Sequence, residues 1–419
     1  MMIMTARVGL LAVLLALAPA LPAGVTASAA GGPSAGDRAV AARLHTRFAG
    51  AGLGSGGVGQ VVDVASGRTV WASGAGAGRM PASTNKLAVA VAALTALGPD
   101  RTERTRTRYE PSTRTLYLVG GGDQRLAAAD LKALAAATAK VLAMRQLPVA
   151  ALRVDDSLFP APTAATASPG WLPGYYPGEL APVRALALCG ARVNDTALAA
   201  GQLFATQLAA AGVRLPRTPP GRAVAPATAV DLASHTSGPL WEAVEYMLKV
   251  SDNNIAEGLL RLTALARHRP PSWQGGTAAV RDILTGYGIP LRGVALFDGS
   301  GLSRRDRMTA AALSALAALA VDPRDHKQLW PLFPGLPVAG RDGTLAARLH
   351  RFSTRPSTCA AGRVHAKTGT LHDVVALAGV TRGRDGRWKA FAFVENGPAG
   401  LGRARQGVDR LAATVTGCW

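Results

Sequence analysis

Pro81-Ala82-Ser83-Thr84-Asn85-Lys86-Leu87 places a serine and a lysine three positions apart, immediately before a long apolar run. That run, from Leu87 to Leu97, is rich in alanine, leucine and valine, which predicts a buried helix. On a helical turn, side chains at this spacing lie on one face, so the lysine can reach the serine hydroxyl. A serine is a weak nucleophile until a base takes its proton, and a lysine serves as that base when its surroundings lower its pKa. The pair therefore predicts a nucleophile and its base at the start of a core helix.

Ser-x-x-Lys is common by chance, and a capping serine beside an exposed lysine is the structural alternative; two later segments decide between them. Ser251-Asp252-Asn253-Asn254 falls between two predicted helices, where side chains can project into a cleft. His365-Ala366-Lys367-Thr368-Gly369-Thr370 falls on a predicted strand that runs into a glycine. The order Ser-x-x-Lys, Ser-x-Asn, Lys-Thr-Gly is the signature of penicillin-binding proteins and serine β-lactamases, which this chain therefore resembles.

The chemistry of acyl transfer requires these residue types. Ser83 is expected to be the nucleophile and Lys86 its base, with Ser251 and Lys86 relaying a proton to the leaving amine. Asn253 is expected to hold the substrate amide and to position the base. A positive Lys367 favours a neutral Lys86 and attracts a substrate carboxylate.

The strand motif supplies the expected substrate-binding residues. Thr368 can donate a hydrogen bond to the substrate carboxylate, and Gly369 completes the motif. The backbone N–H groups of Ser83 and Thr370 are expected to form the oxyanion hole. No cofactor is implied, and with neither Cys-x-x-Cys nor His-Glu-x-x-His in the chain no metal site is expected.

The resemblance narrows to the low-molecular-mass penicillin-binding proteins that act as D-alanyl-D-alanine carboxypeptidases and endopeptidases and carry a large insert between Ser-x-x-Lys and Ser-x-Asn. It covers essentially the whole mature chain. Besides the three motifs, the segments similar to that family are Leu118-Val119-Gly120-Gly121-Gly122-Asp123, Asp155-Asp156-Ser157-Leu158-Phe159, Pro169-Gly170-Trp171, Asp298-Gly299-Ser300-Gly301-Leu302-Ser303 and Gly340-Arg341-Asp342-Gly343-Thr344-Leu345. One departure is local, since Cys189-Gly190 stands where the family usually has a small polar turn.

The resemblance implies an α+β protein of the penicillin-binding and serine β-lactamase-like transpeptidase fold, with a five-stranded antiparallel sheet, helices on both faces and an inserted α/β region. It also implies peptidoglycan stem peptides ending in D-Ala-D-Ala as substrates, and β-lactam antibiotics as covalent inhibitors. The balance between carboxypeptidase and endopeptidase activity is left open, because both cleave the same kind of D-Ala-linked amide.

Two other functions compete with this one. A class A serine β-lactamase shares the three motifs but needs a later glutamate to activate the deacylating water, and the chain has no glutamate between Glu257 and Glu395. A non-enzymatic cell-envelope binding protein could use the same fold as a scaffold. The presence of all five catalytic side chains favours the enzyme.

Local patterns predict the elements of the chain. The expected strands are Val58 to Val64, Thr69 to Ala72, Thr115 to Val119, Val149 to Val154, Ala185 to Leu188, Arg363 to Lys367, Val374 to Thr381 and Trp388 to Glu395. The expected helices are Asp37 to Phe48, Leu87 to Leu97, Ala127 to Leu142, Gly201 to Ala211, Ser234 to Val250, Ile255 to Ala266, Val280 to Leu284, Thr309 to Ala320, Gly343 to Leu349 and Gly400 to Val415. These elements divide the mature chain into a catalytic domain, residues 31–98 and 227–419, and an insert, residues 99–226.

The N-terminus and the composition bear on where the protein acts. Arg7, the apolar residues 8–21 and Ala27-Ser28-Ala29 predict a cleaved export signal over residues 1–30 and no permanent membrane anchor; an uncleaved N-terminal anchor is the alternative. The protein is therefore expected outside the cytoplasm, on the cell-wall side of the membrane. A formal net charge of +20 predicts attraction to an anionic surface. Scattered arginines and only 5% aromatic residues favour an envelope polymer over nucleic acid.

The chain has three cysteines, so in an exported protein the simplest arrangement is one disulfide and one free thiol. Cys418 follows the C-terminal helix, and Cys359 precedes the strand that carries Lys367. Because that helix is expected to pack over that sheet, these two can form a disulfide. Cys189, in the insert, is then the free thiol.

Overall fold

The computed structural model describes residues 32–54, 56–163, 168–324, 326–397 and 400–419. The predicted export signal lies outside these residues. The strands are β1 (Val58–Asp63), β2 (Thr69–Ser73), β3 (Arg104–Glu110), β4 (Thr115–Val119), β5 (Ala151–Asp155), β6 (Gly221–Arg222), β7 (Val230–Thr236), β8 (His365–Leu371), β9 (Val374–Arg382) and β10 (Trp388–Asn396).

Helices account for most of the remaining regular structure. The α-helices are α1 (Ala35–Ala49), α2 (Lys86–Leu97), α3 (Ala128–Met144), α4 (Tyr175–Gly178), α5 (Thr196–Ala210), α6 (Leu240–Val250), α7 (Asn253–Ala266), α8 (Trp273–Gly286), α9 (Ala310–Ala318), α10 (His326–Leu329), α11 (Leu332–Gly335) and α12 (Leu401–Thr416). The 3₁₀ helices are Ala82–Asn85, Gly343–Leu345, Ala347–Leu349 and Ser357–Ala360. No helix in the described ranges is long and apolar enough to span a bilayer.

The catalytic sheet is five-stranded and antiparallel, with the order β2-β1-β10-β9-β8, as the sequence predicts. Its strands are apolar on both faces. On β9, Val375 and Leu377 belong to one buried cluster, and Ala376 and Ala378 to another. Since successive side chains of a strand point to opposite faces, both faces must be covered. Helices α1 and α12 cover one face, and α2 and α9 pack with the cluster on the other, which confirms the predicted layers.

Helix α2 is the most enclosed helix near the catalytic sheet. Every residue from Lys86 to Leu94 is buried. A helix that is apolar all round is suited to a protein interior, and α7 and α8 pack against it. Its first residue is therefore held by a rigid core.

A second five-stranded sheet, with the order β6-β5-β4-β3-β7, forms most of the expected insert. β4 pairs with β5, and β5 with β6, in parallel, whereas β3 pairs antiparallel with β4 and β7. Helices α3 and α5 contribute to its core. β7 lies C-terminal to residue 226, where the sequence had suggested that the insert ends.

Five predicted elements differ in the structure. The helix predicted from Gly201 begins at Thr196, and the helix predicted over Gly343 to Leu349 is two 3₁₀ helices. Ala185 to Leu188 is not a strand, although Gly122 N–H donates to Ala185 O at 2.8 Å. The helix predicted from Ser234 begins only at Leu240, because Ser234 to Thr236 pair with β3.

Helix α8 begins at Trp273, earlier than the predicted Val280. Its first turns contain Gly275 and Gly276, and because glycine is a poor helix former the sequence did not indicate a helix there. A Cβ on Gly276 would lie 2.5 Å from Leu260 Cγ, so the glycine permits the close packing of α7 and α8.

The predicted disulfide between Cys359 and Cys418 is confirmed, with a Cα–Cα distance of 6.1 Å. It links the 3₁₀ helix Ser357–Ala360 to the second residue after the end of α12. Cys189 is a free, exposed cysteine, also as expected.

A buried lysine ties the first helix to the catalytic sheet. Lys389 Nζ lies 2.6 Å from Asp37 Oδ1 on α1, 2.6 Å from Asp63 Oδ2 on β1 and 2.9 Å from Asp385 Oδ2 in the β9–β10 turn. Burial opposes the charged form, but hydrogen bonds to these carboxylates raise the lysine's pKa overall. The ammonium therefore neutralises a group of three carboxylates that could not otherwise be buried together.

Candidate active site

The predicted nucleophile lies on the short 3₁₀ helix that leads into α2. Ser83 is half-buried, whereas Ala82 and Thr84 on either side are fully buried. Ala82 has a positive φ of 47°, a region that non-glycine residues rarely occupy. Behind the serine, Asn85 Nδ2 donates a hydrogen bond to Asp298 O at 3.0 Å. The nucleophile is thus fixed to the loop that begins at residue 298.

Lys86 is fully buried and contacts three oxygen atoms. Its Nζ lies 2.9 Å from Ser83 Oγ, 2.8 Å from Asn253 Oδ1 and 2.7 Å from Ser300 O. The structure therefore brings the predicted base to the predicted nucleophile, and Asn253 to the base.

Two of these three oxygens can only accept hydrogen bonds. Ser300 O is a backbone carbonyl, and Asn253 Oδ1 is the carbonyl oxygen of an amide whose Nδ2 donates to Glu179 O at 2.9 Å. A neutral lysine has two N–H donors and one lone pair. If both donors serve these carbonyls, the lone pair faces the Ser83 hydroxyl, which is the geometry that a general base needs.

The environment of Lys86 moves its pKa towards the working range of such a base. Burial disfavours the charged ammonium and lowers the pKa from its ordinary value to about 8, although Asp298, Glu257, Asp252 and Glu179 act in the opposite direction. Near neutral pH a useful fraction of the lysine is then unprotonated.

Ser251 and Asn253 lie at the junction between α6 and α7. Ser251 ends α6 in the left-handed conformation, with φ 65° and ψ 39°. Asp252 caps α7, its Oδ1 accepting the Ile255 N–H at 2.9 Å. This tight reversal places two motif side chains beside different lysines: Asn253 contacts Lys86, and Ser251 Oγ accepts a hydrogen bond from Lys367 Nζ at 2.9 Å.

The Lys-Thr-Gly motif lies on β8, the edge strand of the catalytic sheet. Lys367 is fully buried, and Thr368 Oγ1 donates to Thr344 Oγ1 at 2.8 Å. A Cβ on Gly369 would lie 2.5 Å from Pro81 O, so only glycine lets β8 approach the 3₁₀ helix of the nucleophile this closely. Thr370 follows, half-buried, at the position expected to complete an oxyanion hole.

Lys367 and Lys86 are two buried lysines whose positive charges disfavour each other. The pKa of Lys367 is lowered well below its ordinary value, first by burial and then by the charges of Lys86 and Arg351. Burial is also the largest cause of the lowered pKa of Lys86. The site therefore disfavours the state in which both lysines are protonated.

Sequence reasoning missed several groups that support the motif residues. Ser300 O contacts Lys86, Glu179 O contacts Asn253, and Thr344 Oγ1 contacts Thr368. Ser300 and Thr344 belong to the segments Asp298-Gly299-Ser300-Gly301-Leu302-Ser303 and Gly340-Arg341-Asp342-Gly343-Thr344-Leu345, whose similarity to the family was evident but to which no role was given. Two of the three contacts use backbone carbonyls, which no side-chain pattern reveals.

Comparison with known proteins identifies a family and its relatives. The profile of the D-Ala-D-Ala carboxypeptidase 3 (S13) family matches residues 40–188 and 172–415. Carboxypeptidase DacB of Mycolicibacterium smegmatis is 34% identical over 384 residues, covering 86% of this chain and 80% of the relative. A D-alanyl-D-alanine carboxypeptidase of Actinomadura is 30% identical over 431 residues, covering 81% of this chain and 77% of the relative.

Among solved structures, penicillin-binding protein 4 (DacB) of Haemophilus influenzae has a similar fold. Its crystal structure superposes with a TM-score of 0.71 at 22% identity and covers 89% of this chain and 97% of that one. A second crystal structure of that protein, in complex with a β-lactam, superposes with a TM-score of 0.67 at 24% identity, over 90% of this chain and 98% of that one. The predicted α+β fold is therefore confirmed.

Proposed function

Since the chain belongs to the D-Ala-D-Ala carboxypeptidase 3 (S13) family, we propose that it is a serine D-alanyl-D-alanine carboxypeptidase with Ser83 as nucleophile and Lys86 as base. Its substrates are peptidoglycan stem peptides that end in D-Ala-D-Ala. The catalytic residues are Ser83, Lys86, Ser251, Asn253 and Lys367, and the substrate-binding residues are Thr368, Gly369 and Thr370.

A single observation carries this proposal. Lys86 Nζ lies within 2.9 Å of the Ser83 hydroxyl, while two carbonyl oxygens at 2.8 and 2.7 Å take its N–H groups. A lysine that served only to neutralise buried carboxylates would direct its N–H groups towards them. Here the amine is surrounded by neutral acceptors and the nucleophile, as a proton-abstracting group requires.

Acylation follows from this geometry. Lys86 takes the Ser83 proton as Oγ attacks the carbonyl carbon of the penultimate D-Ala, and the N–H groups of Ser83 and Thr370 stabilise the oxyanion. Thr368 and Lys367 hold the terminal carboxylate. The C–N bond then breaks, the proton that Lys86 took from Ser83 passes through the Ser251 hydroxyl to the leaving amine, and D-alanine leaves. Water hydrolyses the ester that remains on Ser83.

The competing functions have less support. Glu257, on α7, is fully buried, and its carboxylate accepts bonds from Gly299 N–H, Ser300 N–H and Trp273 Nε1–H. It is therefore engaged away from the cleft, which argues against rapid β-lactamase-type deacylation. A non-enzymatic envelope-binding protein would have no need for a buried lysine with a pKa of about 8 next to a serine.

A β-lactam should behave as a substrate that the enzyme releases slowly. Its carboxylate resembles that of the terminal D-Ala, and its strained amide presents a carbonyl to Ser83. Because the sequence has no glutamate between Glu257 and Glu395 to activate water as in a class A β-lactamase, the acyl group should remain on the serine. β-Lactams are thus proposed as covalent inhibitors.

The function predicts one covalent adduct and one released product. Wild-type protein incubated with penicillin should gain the mass of one β-lactam on the peptide that contains Ser83, and should release D-alanine from an uncrosslinked pentapeptide. Ser83→Ala should abolish both, and Lys86→Ala should reduce both by at least about 100-fold, since general base catalysis contributes this much. Lys132→Ala, at an exposed position on α3, is the matched control and should have no effect.

Release of D-alanine by Ser83→Ala, or rapid multiple turnover of penicillin by the wild type, would contradict the assignment. Crosslinked muropeptides, tested in parallel, report whether an endopeptidase activity accompanies the carboxypeptidase.

We also propose that the protein is exported, with its signal removed near Ala30. The proposal rests on the residue 1–30 pattern, ending in Ala27-Ser28-Ala29. N-terminal sequencing of the protein recovered outside the cells should begin near Ala30. A sequence that begins at Met1 or Met2 would contradict it.

A further inference from the structure

Three buried carboxyl groups lie close to one another, and two of them, Asp298 and Glu257, act on the charge of Lys86. Glu257, Asp298 and Asp306 are each at most 1% exposed. Taking a carboxylate out of water costs several kcal/mol unless it is compensated. Such a group beside a catalytic lysine therefore requires an explanation.

Asp298 is the one that connects most directly to the lysine. Its Oδ1 accepts the Gly301 N–H at 2.7 Å. Its Oδ2 accepts Trp171 Nε1–H at 2.6 Å and Ser303 N–H at 2.7 Å. Among the described residues, Asp298 is in none of the ion pairs that join a carboxylate to a basic group. The cost of burying the Asp298 carboxylate is thus offset by these hydrogen bonds and by its attraction to Lys86.

The link runs through one peptide group. The Gly301 N–H that donates to Asp298 and the Ser300 carbonyl that accepts from Lys86 Nζ belong to the same planar unit. Each bond polarises the unit in the sense that strengthens the other. The carboxylate therefore fixes the direction of the Ser300 carbonyl and increases its power as an acceptor.

The other two acids have different environments. Burial, and after it the charge of Asp298, raises the pKa of Asp306 well above its usual value, which favours a neutral Asp306. Its Oδ1 accepts the Phe297 N–H at 2.7 Å. Burial also raises the pKa of Glu257, to about 7, and Arg261 lies 4.0 Å from it. Asp298 is thus the carboxylate that polarises the Ser300–Gly301 peptide group bonded to Lys86.

We propose that Asp298 is a positioning residue for the catalytic base. Through the Ser300–Gly301 peptide group it holds the carbonyl that orients Lys86 Nζ towards Ser83. The inference rests on the proposed function only in so far as it names Lys86 the base; the contact itself is independent of the reaction.

The charged groups around Lys86 determine what removing Asp298 should do. Asp298, Glu257, Asp252 and Glu179 all raise the pKa of Lys86, with Asp298 the largest of these contributors, whereas burial lowers it. On the β8 side the neighbouring basic group is Lys367. Loss of the Asp298 charge should therefore lower the Lys86 pKa further.

Two aspartate-to-asparagine substitutions distinguish the effect of the Asp298 charge from the effect of changing a buried side chain. Asp298→Asn removes the charge, whereas Asp306→Asn replaces one neutral group by another of the same shape. In the full-length protein with ¹³Cε-labelled lysine, NMR titration gives the Lys86 pKa directly, with Lys86→Met assigning the signal. We expect a fall of about one unit or more in Asp298→Asn, typical of losing a nearby opposite charge, and no change in Asp306→Asn.

The acylation rate of Ser83 against pH provides the second readout. In Asp298→Asn the acid limb should move down by the same amount as the Lys86 pKa, and the maximal rate should fall about tenfold or more, because the amine is held less precisely. If the substitution only distorted the residue 298–303 loop, the acylation rate would fall but the acid limb of its pH profile would not shift.

The outcomes distinguish this inference from the proposed function. An unchanged Lys86 pKa in Asp298→Asn would overturn the inference even if acylation were normal. A shifted pKa with an unshifted acid limb would support the Asp298 link and remove Lys86 as the base. If Asp298→Asn does not fold, because its new amide would face two N–H donors, Asp298→Asn with Trp171→Phe removes one donor and is expected to show the same shift.

Discussion

At the residue scale, the nucleophile and the Ser251 hydroxyl both depend on non-glycine residues with positive φ. Ala82 has φ 47° and Ser251 has φ 65°. Such a conformation costs about 1–2 kcal/mol for each residue, so it persists only where the surroundings enforce it. Ala82 is held by full burial between β8 and the residue 298–303 loop, and Ser251 by the start of α7 directly after it. In both cases the hydroxyl at or beside the strained residue contacts a buried lysine, Ser83 with Lys86 and Ser251 with Lys367.

Gly369 is the residue at which the sheet and the nucleophile approach most closely. In Gly369→Ala the new Cβ would lie 2.5 Å from Pro81 O and 3.1 Å from Ala376 Cβ, so either β8 or the 3₁₀ helix must move. We expect the penicillin acylation rate to fall about 100-fold, as a displacement near 1 Å can cause. Stopped-flow acylation and thermal unfolding measure the two effects, with a loss of stability of about 1–3 kcal/mol expected.

Gly402→Ala is the matched control, because no atom lies within 4 Å of the Cβ that it would add on α12. It should acylate normally and gain slightly in stability. Wild-type acylation by Gly369→Ala would show that the close approach does not matter.

At the element scale, the sequence predicts the apolar strands and helices of the catalytic domain, but not strands β3, β6 and β7 of the second sheet. β9, β10 and α2 are long, continuous apolar segments, and the sequence predicts them nearly to the residue. β3, by contrast, reads Arg-Thr-Arg-Thr-Arg-Tyr-Glu and is not among the predicted strands. In the structure its threonines and tyrosine are buried and its arginines are more exposed, so the alternation of a strand was present, with threonine in the place of an aliphatic residue.

β10 carries a glutamate whose burial should make the stability of the protein depend on pH. Glu395 is 1% exposed, and its Oε2 has no hydrogen-bond partner among the described residues. Burial raises its pKa to about 7, although Arg79 acts in the opposite direction. The folded carboxyl thus holds a proton that the unfolded chain releases near pH 4.3, so this site destabilises the fold increasingly as the pH rises to about 7.

Glu395→Gln should remove that penalty. We expect the variant to be more stable than the wild type by about 1 kcal/mol or more at pH 8, and the difference to shrink towards pH 4.5. Thermal unfolding at the two pH values measures it. Glu245→Gln, at a half-buried glutamate on α6, is the control and should change the unfolding temperature equally at both. A constant difference in Glu395→Gln would contradict the assignment.

At the scale of the whole molecule, the site is assembled from both ends of the catalytic chain and from the region between them. Ser83 and Lys86 come from the start of α2, Asn253 from α7, and Lys367 from β8. Glu179, whose carbonyl orients the Asn253 amide, lies in the expected insert. The expected insert therefore contributes a backbone carbonyl to the geometry of the site.

The chemistry of the site could be predicted because it resides in side chains whose spacing is distinctive. What could not be predicted is the set of backbone groups that orient those side chains. Ser300 O and Glu179 O act through their carbonyls, and Asp298 acts through a peptide group. A backbone carbonyl leaves no signature in the sequence, and its direction depends on a fold that brings together segments more than 200 residues apart.

The net charge leads to a prediction for the molecule as a whole. At +20, the protein should adsorb to isolated cell walls that carry anionic polymers. Because such attraction is screened over about 30 Å at 0.01 M salt and about 3 Å at 1 M salt, adsorption should be strong at low salt and be lost at high salt. Sedimentation with purified walls, followed by assay of the supernatant, measures it, and walls stripped of their anionic polymers are the control. Adsorption that persisted at 1 M salt, or equally on stripped walls, would show that recognition of the peptide or glycan, and not charge, holds the protein there.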